Sequence, residues 1–174
     1  MKWTRRIAVV GIVWCAGLLA ASTVPGGLPL PTPIILAPAL LLALPGFVIT
    51  LIAVRSLAVQ ETGTRAGGGQ ALWRLLRETM PGWVLIASWL LFAGFWLVGF
   101  LAISGAPGVP EHRAGAYVVN NHGEVTVIGK AQYLTLKAQE QRIAACVPGG
   151  FCVFAAVIST ALLRREARGE AVRP

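Results

Sequence analysis

Residues 7–54 read IAVVGIVWCAGLLAASTVPGGLPLPTPIILAPALLLALPGFVITLIAV, a run of 48 positions without one charged side chain. A single bilayer crossing takes about 20 apolar residues in helix, so this run holds two crossings and a turn. The turn is Pro25-Gly26-Gly27-Leu28-Pro29-Leu30-Pro31-Thr32-Pro33, where four prolines forbid helix and favour a stiff, extended path. A second charge-free run lies between Glu78 and Glu111, and a third apolar segment ends at Arg164. The sequence therefore predicts spans at residues 7–24, 34–54, 82–103 and 143–163. Strands of a membrane barrel would alternate apolar and polar residues over about ten positions, and no segment does so. The expected class is an all-α membrane protein of four transmembrane helices, forming a single membrane domain over residues 1–174.

Composition agrees. Of the residues, 56% are apolar and 13% charged, against about 25% charged in a soluble domain. The first span has a rival reading as a secretory signal, since Lys2, Arg5 and Arg6 precede an apolar run ending in Ala20-Ala21-Ser22-Thr23. An 18-residue run with a second apolar stretch only nine residues later favours a retained span. Basic side chains set the orientation. Lys2, Arg5, Arg6, Arg55, Arg65, Arg74, Arg77, Arg164, Arg165, Arg168 and Arg173 fall on one side, against Arg113, Lys130, Lys137 and Arg142 on the other. Both termini are then cytoplasmic, in a bacterial inner membrane. The net charge of +8 reads as a topology signal plus attraction to anionic lipid, because the arginines flank spans instead of forming one nucleic-acid patch.

Two connections carry detail. Leu72, Leu75, Leu76 and Met80 recur at helical spacing, with Arg74, Arg77 and Glu78 around the rest; this predicts an amphipathic helix lying on the inner leaflet before Pro81. The loop at residues 104–142 is expected outside the cytoplasm. It opens with an irregular stretch through Pro110 and continues into a β-hairpin over residues 117–128, turning at Asn120-Asn121-His122-Gly123. After Gly129 the spacing of Tyr133, Leu134, Leu136, Ala138 and Gln141 predicts a helix that leads without a break into the fourth span. Asn121 and Gly123 are the hairpin's candidate structural residues; another is Pro45 in the second span, which also holds Pro38 and is expected to kink near Pro45. The run from Tyr117 through Asn120-Asn121-His122-Gly123 and Thr126 to Tyr133, followed by Gln141-Arg142 and an apolar helix, resembles small uncharacterised bacterial membrane proteins. The likeness covers about 30 residues, with Gly129 and Gln132 standing where that pattern has Ser and Glu. It implies the hairpin and no activity.

Reactive chemistry is sparse. His112, His122, Glu111 and Glu124 could gather round a zinc ion, though their spacing matches no established motif and a tight turn accounts for His122. The chain has no Asp, and no ionisable side chain falls near the centre of a span, where pumps and coupled transporters keep theirs. Cys15, Cys146 and Cys152 read as small apolar packing residues. Gly17 with Ala21, Ala39 with Ala43, Ala155 with Ser159 and Ala156 with Thr160 stand four apart, a spacing that lets helices approach closely. The expectation is a non-catalytic accessory protein with no cofactor. Its partners would be the lipid bilayer and a protein, or a second copy met through the small-residue faces. A small oligomeric transport component with a pore at the second span and Thr50, or an outer metal sensor, are the alternatives.

Overall fold

Runs rich in Ala and Leu favour helix, and in the computed structural model of the chain they form four long helices and one short one. The structure describes residues 1–23, 28–62, 68–105, 107–113, 115–121 and 123–171. In chain order these are α1 (Lys2–Ala21), α2 (Thr32–Thr62), α3 (Gly68–Thr79), α4 (Gly82–Ser104), β1 (Val109–Arg113), β2 (Ala116–Asn121), β3 (Glu124–Val127) and α5 (Lys130–Ala171). Four helices (α1, α2, α4 and α5) are long and apolar enough to cross a membrane.

Most of these helices overrun the expected spans. α2 has 31 residues and α5 has 42, and the latter is roughly 63 Å long at 1.5 Å per residue. Both continue through internal prolines, α2 through Pro38 and Pro45 and α5 through Pro148. α1 ends at Ala21, so Val24, the expected end of the first span, lies outside the described residues.

α5 is the axis, with α1, α2 and α4 all packed along it. Contact is close where side chains are small. A Cβ on Gly11 of α1 would stand 2.4 Å from Cys152 Sγ, and one on Gly99 of α4 would stand 3.1 Å from Cys146 Cβ. Cys15, Cys146 and Cys152 are buried free thiols. Among the small-residue pairs, Ala39, Ala43, Ala155 and Ser159 are buried between helices. Gly17 is exposed, with nothing within 4 Å of an added Cβ. Part of the apolar face of α3 is turned into the assembly: Ala71 and Leu75, with Met80 just past the helix end, are buried against Leu57 and Ala58 of α2 and Ala161 of α5.

The connection from α4 to α5 corrects a second expectation. The expected hairpin is the larger part of a three-stranded antiparallel sheet, ordered β1-β2-β3. β1 runs through Pro110, which pairs with Val119. Proline lacks the N–H of a central strand but is tolerated on an edge. The β2–β3 register ends on the pair Asn121 and Glu124. His122 lies outside the described residues; Gly123 has φ +99°. Gly123→Val is expected to cost more than about 1 kcal/mol, because a β-branched side chain is strained at positive φ. Chemical unfolding in detergent measures it, and Gly129→Val, outside the strands and with open space around an added Cβ, is the control.

Candidate functional site

Two ends of the helix assembly carry polar chemistry. At one end Arg142 of α5 closes the C-terminus of α1, its Nη2 donating to Ser22 O at 3.0 Å and its Nε to Ser22 Oγ at 3.3 Å. Its neighbour Gln141 is 2% exposed. Gln141 Nε2 donates to Leu28 O at 2.8 Å and Leu30 O at 3.1 Å, and Oε1 accepts from Leu28 N–H at 2.9 Å. At the other end Arg164 Nη1 donates to Thr79 O at 3.3 Å and Arg168 Nη1 to Glu78 O, tying the C-terminus of α3 to α5. Between Arg142 and Arg164 the helix carries no charge, a rise of roughly 33 Å.

N-terminal to Arg142, α5 runs past the end of α4 and carries the sheet. Tyr117 packs against Tyr133 of α5 with tilted rings 4.8 Å apart between centroids, and His112 packs in the same tilted manner on Tyr117 at 4.9 Å. Val118 and Val119 of β2 are buried, as is Leu136 of α5. Asn120 ties the sheet together: its Oδ1 accepts from Gly123 N–H at 2.9 Å and its Nδ2 donates to Glu111 at 3.3 Å. The turn bond thus comes from Asn120, while Asn121 is exposed at the closing pair.

The residues considered for zinc are dispersed. Glu111 forms an ion pair with Arg113. His112 follows it on the same strand and so points to the opposite face, while Glu124 stands on β3, with β2 between. Among the described residues no three His, Cys, Asp or Glu side chains are grouped to hold a metal ion. Pro45 lies on the exposed side of α2. Thr50 is fully buried, and its hydroxyl donates within its own helix, to Gly46 O at 2.9 Å and Phe47 O at 2.8 Å.

Sequence spacing missed three features. One is a polar cavity of about 470 Å³ between the end of α4 and α5, lined by Ser104, Pro107, Gln132, Thr135 and Gln139; Gln139 Oε1 is buried without a partner. Another is β3, whose four residues are all exposed and whose outer edge pairs with no strand among the described residues. The third is a groove at the basic end between α3, α4 and α5. No known protein family matches this chain, and no curated protein or solved structure resembles it.

Proposed function

We propose that the chain is a multi-pass protein of a bacterial cytoplasmic membrane, with both termini cytoplasmic, that acts without catalysis by docking a protein partner on its outer sheet. The observation that carries this reading is β3. Every one of its residues is exposed, Val125 by 48% and Val127 by 72%, on a strand whose outer edge is open. Unpaired edges usually carry a bulge, a proline or a covering element, because they recruit other strands. Here the guarded edge is the other one, at Pro110 of β1, so β3 suits strand addition by a partner segment. The membrane reading draws support from α5, where a charge-free rise of roughly 33 Å matches the hydrocarbon thickness of about 30 Å. The transport alternative draws less, since Pro45 faces outward and Thr50 is committed to its own helix.

A photo-crosslinking residue at Val127 is expected to capture one partner in intact cells. The same residue at Thr135, exposed on α5, should not. Absence of any adduct at both Val125 and Val127 overturns the docking role, and an adduct to a second copy of the chain replaces the accessory role with self-association.

A further inference from the structure

At the basic end an apolar groove of about 350 Å³ opens between three helices, with Leu72 and Leu76 of α3, Trp89 and Phe92 of α4, and Phe154 and Val157 of α5 among its walls. It exists because α4 packs along α5, while α3 leans on α2 and α5 and leaves a wedge between them. Trp73 lines this groove, and Trp73 also lines a second cleft of about 580 Å³ on the outer side of α3, with Gln70, Arg74, Arg77 and Glu78. One indole therefore divides an apolar slot from a polar, mainly basic one. Arg164 and Arg168 reach the C-terminus of α3 from α5 and add positive charge there; in sequence, the acidic residues of α3 and of α5 from Arg164 on are Glu78, Glu166 and Glu170.

We propose that this paired slot binds a single anionic phospholipid, with an acyl chain between α3, α4 and α5 and the phosphate headgroup on Arg74 and Arg77. The proposal rests on the membrane reading above. An acyl chain needs an apolar slot reached from the bilayer, an anionic headgroup needs basic side chains at the interface, and indole is favoured where the two meet. Charge selects the lipid: zwitterionic headgroups gain little from a cluster of arginines, whereas a net negative one gains attraction from each. A lipid seated here would also join α4 to α3 where these helices pack poorly on one another.

Full-length protein purified in mild detergent and exchanged with equal phosphatidylglycerol and phosphatidylcholine tests this by native mass spectrometry. Phosphatidylglycerol is expected to be retained over phosphatidylcholine by about tenfold or more. Arg74→Gln with Arg77→Gln should abolish the preference, and Ser88→Phe, which fills the groove from α4, should abolish retention of both lipids. Circular dichroism and thermal unfolding verify that the variants fold, and Ala167→Gln, exposed beyond the groove, is the control that should retain lipid normally. Equal retention of both lipids, or retention untouched by either variant, overturns the proposal. Retention of neither lipid by a chain that resists carbonate extraction overturns the lipid site and leaves the membrane reading intact. Release of the chain by carbonate overturns the membrane reading, and the lipid site with it.

Discussion

Gly149→Ala is expected to destabilise the assembly by about 1–3 kcal/mol, the usual cost of overpacking a filled site. A Cβ there would stand 2.4 Å from Phe95 Cε1, with two further ring carbons at 2.7 and 2.8 Å. The ring has nowhere to go. Phe95 is 3% exposed, wedged among Cys15, Ala39, Cys146 and Val153, so relief requires α4 to move off α5. Gly94→Ala, next to Phe95 on α4 but in an open position, should instead gain up to about 1 kcal/mol from helix propensity. Unfolding in mixed micelles measures both. In a Phe95→Ala background the penalty of Gly149→Ala should fall below about 0.5 kcal/mol, since the clashing ring is gone. An equal penalty in both backgrounds would mean that α4 does not meet α5 at this glycine.

Gln141→Leu is expected to cost about 2–4 kcal/mol, because a side chain of similar size removes every bond at once. The Leu28 amide and the Leu28 and Leu30 carbonyls each lose the side chain that satisfies them, and at such part-buried groups each bond contributes about 0.5–1.5 kcal/mol net. The effect should be local before it is global. Amide exchange at Leu28 should accelerate strongly while exchange in the middle of α5 changes little. Unchanged protection at Leu28 would show that Gln141 does not hold the connection between α1 and α2.

Four apolar helices were legible because charge is absent for long stretches, and hydropathy needs no knowledge of contacts. Helix ends were less legible. α2 runs on past Val54 to Thr62, where helical and loop patterns overlap, whereas the 13 residues of α5 before Ile143 were legible as helix from the spacing of Tyr133, Leu134, Leu136 and Ala138. β1 was hidden by Pro110, a residue that reads as a turn unless the strand is known to lie on an edge. Spacing pointed to Gly17 and Ala21, yet Gly17 is exposed and the tight approaches fall at Gly11, Gly99 and Gly149. A four-residue interval marks a face of a helix without saying what that face meets. Gln141 and Arg142 gave only the weak signal of polar residues beside an apolar run; their partners lie more than 100 positions away along the chain. The groove at the basic end belongs to no segment, since three helices share it.

Thiol labelling of intact cells tests the central claim most directly, because the native cysteines are buried and should stay silent to an impermeant maleimide. Thr126→Cys on β3 and Ala167→Cys near the end of α5 are both exposed positions at opposite ends of the molecule. The account predicts that Thr126→Cys is labelled in sealed cells and that Ala167→Cys is labelled only after the membrane is opened. Labelling of both in sealed cells, or of Ala167→Cys alone, would contradict it.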